Sequence, residues 1–113
     1  MQSLIDDFIK MNQAGLVLEL CEKHYDENVL MLNNGEIFAS SMQESYDKQK
    51  GFVDSIKESE VNLISSVINK NVAELTFHYK MIGLNSQVNE FTGKHIQTWE
   101  NGKIIKEEYV SIS

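Results

Sequence analysis

Three residues that could do chemistry alternate along one short stretch of the sequence. His95, Gln97 and Trp99 are separated by single residues, so in a β-strand all three side chains lie on the same face. This composition is unusual for a core face, because a buried imidazole or amide needs hydrogen-bond partners. The three side chains therefore either point into water or line a polar internal pocket.

Glu107 is the acidic residue that could join them, since it follows Asn101-Gly102, a turn signal typical of an antiparallel hairpin. If those two residues form the whole turn, the face of His95 carries Ile104, Lys106 and Glu108. If the turn is longer and contains a glycine bulge, Trp99 pairs with Lys103, and the face of His95 carries Ile105, Glu107 and Tyr109.

The second geometry sets His95 directly opposite Glu107. A histidine and a carboxylate in contact can act as a general acid/base pair. They can equally be inert buried structure, in which each group satisfies the hydrogen-bonding capacity of the other. Both interpretations are open on this pattern alone.

The preceding strand, residues 72–84, supplies the apolar part of the same face. A turn near Ser86 pairs residues whose numbers sum to about 172, which sets His95 opposite Phe77, Gln97 opposite Leu75 and Gly93 opposite Tyr79. The shared face is the inner one, because its large apolar side chains need cover. The predicted pocket residues are Met31, Tyr46, Phe77, Tyr79, Gln97, Trp99 and Tyr109. The outer face then carries Thr76, His78, Lys80, Ile96 and Thr98.

The elements upstream must hold this sheet from one side. Ser3 is a candidate cap for a first helix, and a second helix carries Val17, Leu20, Cys21 and His24 at helical spacing. Short strands follow at 29–33 and 36–40. Ser41 and Glu44 form a capping box that opens a third helix, and strands are predicted at 60–69, 72–84 and on both sides of Asn101-Gly102.

Helices and strands are thus segregated along the chain. This order predicts a single α+β domain over residues 1–113, in which a cone-shaped, curved, mixed or antiparallel sheet packs against three helices.

Composition excludes several classes of function. The net charge is −7 and no Lys/Arg cluster is present, which argues against nucleic acid as a partner. No apolar run is long enough to span a membrane, and the N-terminus lacks a signal-peptide pattern. The single cysteine, Cys21, fits the cytoplasm and is expected to be a small buried hydrophobe rather than a nucleophile.

No metal or other cofactor is expected. His24, His78 and His95 do not share a face, no Cys/His spacing suggests zinc, and the chain has no Gly-rich phosphate loop. His24 ends its helix, where a cap or packing role is expected ahead of a place at a pocket mouth. For His78 we expect a surface or dimer contact.

Two segments resemble the nuclear transport factor 2-like superfamily, and within it the SnoaL-like proteins. HIQTWENGKIIKEEY looks like the closing pair of strands of that family, and HYDENVLML looks like its junction between second helix and first strand. The Glu-x-Tyr of the closing strands falls on Glu107 and Tyr109, so the resemblance favours the turn that faces both residues inward.

The resemblance implies a conical pocket for a small, largely apolar molecule and a homodimer through the outer sheet face (Thr76, His78, Ile96, Thr98). The base of the related ketosteroid isomerases would fall at or next to Leu32, which cannot accept a proton, and their oxyanion-binding Asp near His95. This chain is therefore not expected to be that isomerase.

The sequence is compatible with two functions. One is an acid–base enzyme of the isomerase, cyclase or hydrolase type, with His95 and Glu107 as acid and base, and Gln97 and Tyr79 or Tyr46 as hydrogen-bond donors. The other is a non-catalytic module for ligand binding or dimerisation. Fold alone does not decide between them.

Overall fold

The structure, a computed structural model, describes residues 1–112 and has the predicted order of elements. Two helices, two short strands, a third helix and four long strands follow one another along the chain. They are α1 (Gln2–Gln13), α2 (Val17–His24), β1 (Tyr25–Asn33), β2 (Glu36–Ala39), α3 (Met42–Asp54), β3 (Ile56–Asn69), β4 (Val72–Gly83), β5 (Val88–Glu100) and β6 (Lys103–Ile112). Within residues 1–112, none of the helices combines the length and the apolar character needed to cross a membrane.

All six strands form one open, mixed sheet with the order β2-β1-β6-β5-β4-β3. Every neighbouring pair is antiparallel except β1 and β6, which run parallel. The sheet packs against the three helices, and the predicted α+β class is confirmed. One sheet face therefore looks towards the helices and the other outwards, and we call these the inner and outer faces.

The inner face and the helices enclose the core. β4 alternates between buried odd-numbered residues and more exposed even-numbered ones, apart from Thr76, which is buried on the outer face. Ile5 and Phe8 of α1 and Leu20 and Cys21 of α2 pack onto this face. The predicted assignment of the two faces of β4 and β5 is therefore correct.

The register of β4 on β5 differs by two residues from the predicted one. His95 lies opposite Leu75, Gln97 opposite Ala73, and Gly93 opposite Phe77. The turn is centred on Asn85 instead of Ser86, with the amide of Gly83 donating to the carbonyl of Gln87, so paired numbers sum to 170. A shift of two residues keeps every side chain on its predicted face.

The turn between β5 and β6 combines the two predicted geometries. Asn101 and Gly102 have φ values of 52° and 77°, so the turn contains two residues and Glu100 pairs with Lys103. A bulge follows at Ile105, because Trp99 pairs with Ile104 and Thr98 with Lys106.

This bulge changes which residues of β6 face inward. Ile104 is buried before it, and Glu107 and Tyr109 lie on the inner face after it. The predicted pairing of His95 with Glu107 is wrong, since Tyr109 lies opposite His95 and Glu107 lies opposite Gln97. The inward orientation of Glu107 nevertheless agrees with the geometry that the resemblance favoured.

Local signals at helix ends were partly right. The Ser41 hydroxyl accepts a hydrogen bond from the Glu44 amide at 3.1 Å, and the Glu44 carboxylate accepts one from the Ser40 amide at 2.7 Å. Ser3 is not the cap of α1, because that helix begins at Gln2 and Met1 is its capping residue.

Candidate functional site

A cavity of about 180 Å³ lies between the helices and the inner face of the sheet. Of the predicted site residues, Met31, Tyr79, His95, Glu107 and Tyr109 line it. Other lining residues come from all three helices and from β1 and β2, among them Phe8, Asn12, Tyr25, Phe38, Gln49 and Phe52. A larger groove of about 620 Å³ lies beside the β4–β5 turn, but it contains none of the predicted site residues.

Glu107 is the centre of a buried hydrogen-bond network. Its side chain is 3% exposed, one carboxylate oxygen accepts from the Tyr25 hydroxyl at 2.8 Å, and the other accepts from the Gln97 amide at 2.7 Å. Gln97 is held in turn by the Trp99 indole, which donates to its carbonyl oxygen at 3.1 Å. These donors hold the carboxylate in place in the cavity wall.

The charge on this carboxylate is held by its neighbours. Burial raises the pKa of Glu107. The nearby His95 and the donors Gln97 and Tyr25 lower this pKa by more than burial raises it, so it lies below its usual value. Burial, with the Glu107 charge next in size, raises the pKa of Tyr25 well above its usual value. Tyr25 therefore stays protonated and donates to an ionised Glu107.

His95 lies beside Glu107 in the cavity wall. Its Nδ1 is 3.4 Å from Glu107 Oε1, too long for a good hydrogen bond, and has no other partner. Its Nε2 is 2.6 Å from the Tyr79 hydroxyl, which accepts from the Asn12 amide at 3.1 Å. The arrangement with the fewest unpaired groups has Tyr79 donating to Nε2 and the ring proton on Nδ1, facing the carboxylate.

Tyr79, His95 and Glu107 thus form a chain from the cavity to the buried carboxylate. Burial raises the pKa of the Tyr79 phenol, so this residue stays protonated unless His95 takes its proton. The His95 side chain is 13% exposed, against 3% for Glu107. All three residues line the cavity, and the His95 side chain is more accessible to a ligand than the carboxylate.

The wall beside His95 depends on a glycine. The Tyr109 ring lies across Gly93 so closely that a Cβ atom on that residue would overlap its ring and hydroxyl. In this position Tyr109 meets His95 edge to face, with ring centroids 5.3 Å apart. Gly93 is thus required for the position of Tyr109 in the cavity wall.

Four predicted pocket residues lie elsewhere. Phe77 and Trp99 are buried in the core, and Gln97 is buried as the partner of Glu107. Tyr46 packs against the core from α3. Their side chains form the support of the site and do not line the cavity.

Two residues of the network were missed by sequence reasoning. Tyr25 was assigned to a polar junction, but β1 begins at this residue, and its odd number matches the inward positions Val29 and Met31. A predicted β1 that began at residue 25 instead of 29 would have placed Tyr25 on the inner face. Asn12 sits at the predicted end of α1, and no local pattern shows that its amide meets Tyr79, 67 positions along the chain.

Cys21 and His24 are not part of the cavity wall. Burial raises the pKa of Cys21 to about 12, so the thiol stays protonated. His24 is buried beside Trp99, its Nε2 is 2.7 Å from Asp7, and burial lowers its pKa. Within residues 1–112 no three His, Cys, Asp or Glu side chains converge as metal ligands would.

Known proteins resemble this chain in their structures and not in their sequences. Neither a protein-family model nor a curated protein matches the sequence. A putative SnoaL-like polyketide cyclase from Mesorhizobium loti superposes with a TM-score of 0.79 at 15% identity, over 96% of both chains. An NTF2-like protein of unknown function from Exiguobacterium sp. 255-15 superposes with a TM-score of 0.80 at 12% identity, over 97% of this chain and 98% of the other.

This chain has the nuclear transport factor 2-like fold. The fold that the resemblance of the two sequence segments implied is therefore confirmed, and a SnoaL-like protein is among the structures that share it. A third similar structure, a hypothetical protein from Catenulispora acidiphila with a ketosteroid isomerase-like fold, was crystallised in complex with trimethylamine. It superposes with a TM-score of 0.76 at 6% identity, over 94% of this chain and 82% of the other.

Leu32 lines the cavity, flanked by Met31 and Asn33 in the same wall. None of the three side chains can take a proton from a ligand. The position on β1 where the resemblance implied a ketosteroid isomerase base thus carries no carboxylate, and the groups that can transfer protons are Tyr79 on β4 and His95 on β5.

Proposed function

We propose that this protein binds a small, largely apolar molecule in the cavity, with one polar group of the ligand directed at Tyr79 and His95. The observation that carries the proposal is the cavity itself, in which two polar groups meet at one place in a mostly apolar wall.

The size of the cavity sets a limit on the ligand. An apolar cavity of about 150 Å³ is known to hold benzene, so about 180 Å³ suits a ligand with one ring or a comparable branched chain. Steroids and other polycyclic compounds are too large for a cavity of this volume.

Methionine methyl groups offer a direct test. Met31 and Met81 line the cavity, whereas Met11 and Met42 do not. With methyl-¹³C-methionine protein, we expect added cyclohexanone to shift the Met31 and Met81 signals in a saturable way and to leave those of Met11 and Met42 in place. Equal small shifts at all four methionines, or none, would contradict binding in the cavity.

A second function, acid–base catalysis, is supported by the 2.6 Å contact between Tyr79 and His95 at the cavity wall. In this function a substrate gives a proton to the Tyr79 oxygen while the Tyr79 proton moves to His95 Nε2, and the charge of Glu107 stabilises the imidazolium. This assignment differs from the predicted one, because Glu107 supports the reacting pair from behind and does not meet the substrate.

We also propose a homodimer through the outer sheet face. Ile96, Thr98 and His78 lie there half-buried, and His78 is tied to Glu90 and Thr92 at 2.8 and 3.1 Å. A face with mixed apolar and satisfied polar groups suits a two-fold contact. The cytoplasmic location stays a prediction from the sequence.

A further inference from the structure

The wall of the cavity contains a negative charge and no lysine or arginine. Of its 16 lining residues, Glu107 is the only one with a carboxylate, and none is a lysine or arginine. The donors to Glu107 are the neutral groups of Tyr25 and Gln97, so its charge has no cationic partner besides His95. A buried carboxylate without a permanent counter-ion favours a positive charge close by.

The wall of the cavity is also rich in aromatic rings. They belong to Phe8, Tyr25, Phe38, Phe52, Tyr79 and Tyr109. The faces of such rings carry partial negative charge and attract organic cations, whose methyl groups also pack well against them. An anionic ligand would meet both the rings and the carboxylate unfavourably.

From this combination we propose that the cavity is selective for a small organic cation, an amine or a quaternary ammonium compound of about the size of choline. The proposal deepens the proposed function and rests on it. The methyl groups of such a ligand pack against the apolar wall, and its positive charge is attracted by the carboxylate of Glu107. A molecule of this size fits a cavity of about 180 Å³.

Histidine protonation should compete with this ligand. The ionisable groups that face His95 are Tyr79 from β4, Glu107 and Tyr109 from β6, and Tyr25 from β1 by way of Glu107. The neighbouring α1 contributes only the neutral Phe8 and Asn12. An imidazolium at His95 would therefore repel a bound cation and share the one negative charge available.

The test compares two ligands that differ only in charge. Choline and 3,3-dimethylbutan-1-ol have the same shape and hydroxyl group, and dissociation constants for both follow from the Met31 and Met81 methyl shifts. We expect choline to bind at least about tenfold more tightly, as a desolvated cation–π contact allows.

Variants separate the sources of this preference. Glu107→Gln should remove most of the advantage of choline over the alcohol. Phe52→Leu, at an exposed site on α3, should weaken the binding of choline more than the binding of the alcohol. This variant replaces Glu107→Gln in the test if the Glu107 variant does not fold. Leu84→Ala is the matched control, because Leu84 is exposed and lies outside the cavity wall. It should leave both constants unchanged.

Failure of this proposal and failure of the proposed function give different results. Equal binding of the two ligands, or tighter binding of the alcohol, overturns cation selectivity and leaves a cavity for small apolar molecules. Binding of cyclohexanone without choline has the same meaning. If cyclohexanone, the alcohol and choline all fail to shift Met31 and Met81, both proposals are wrong.

Discussion

At the scale of single residues, the site divides its work among three side chains. Tyr79 and His95 can meet a ligand, and Glu107 holds a charge behind them that water does not reach. A carboxylate that accepts from two buried donors is a poor proton acceptor, because protonation would disrupt those hydrogen bonds. Its charge, 3.4 Å from His95 Nδ1, would stabilise a protonated histidine.

Acid–base catalysis leads to a prediction about His95. In D₂O the protein should speed exchange of the hydrogens next to the carbonyl of cyclohexanone by about a hundredfold or more, the usual contribution of a positioned acid or base. His95→Gln should abolish this acceleration and keep the methyl shifts of Met31 and Met81. Proton NMR measures both. Binding without any exchange in the unchanged protein would leave ligand binding as the function.

Sequence reasoning located part of this constellation and could not locate the rest. His95 and Glu107 stand out because polar side chains on an inward face of a strand need an explanation. Asn12 does not stand out, because only the docking of α1 on the sheet brings its amide to Tyr79. Gln97 was expected in the pocket wall, but its amide is used inside the core by Glu107 and Trp99.

At the scale of elements, β5 and β6 create the cavity wall through two irregular features. The bulge at Ile105 turns Glu107 inward, and Gly93 leaves room for the Tyr109 ring. The turn residues Asn101 and Gly102 are visible in the sequence. The bulge is not, because Ile104, Ile105 and Lys106 have similar strand propensities and only packing decides which of them is the extra residue.

Gly93 gives a prediction about the element as a whole. Gly93→Ala should displace the Tyr109 ring and lower the free energy of unfolding by about 1–3 kcal/mol, as overpacking does. Urea denaturation measures the change. In a Tyr109→Ala background the same substitution should cost much less, because the overlapping atoms are gone.

A second glycine is the matched control for this experiment. Gly51 lies in α3 with open space around its Cβ position. Gly51→Ala should raise the free energy of unfolding by up to about 1 kcal/mol, because alanine favours the helix. Similar losses in both variants would show that the close approach of Tyr109 to Gly93 is not the reason.

At the scale of the whole molecule, the outer sheet face leads to a prediction about mass. Sedimentation equilibrium at micromolar concentration should give a particle of twice the 13.0 kDa chain mass. Ile96→Glu should shift the particle towards a single chain, because a charge would be buried in the contact. Ile37→Glu, at an exposed site on β2, is the control. A single-chain mass for the unchanged protein would contradict the dimer.

The order of strands has a further consequence for how the chain folds. β1 pairs with β6, so the partner of Leu30 is Lys106, which lies 76 positions later in the chain (106 − 30). Just after β1, the backbone amide of Asn34 donates to the backbone carbonyl of Tyr109. Loop closure over such a distance is slow, and apolar strands that wait for a partner are prone to aggregate. During synthesis the edge of β1 that pairs with β6 must stay unpaired until the strand that carries Glu107 has been made. The carboxylate in the cavity wall is thus set in place in the same late step that completes the sheet.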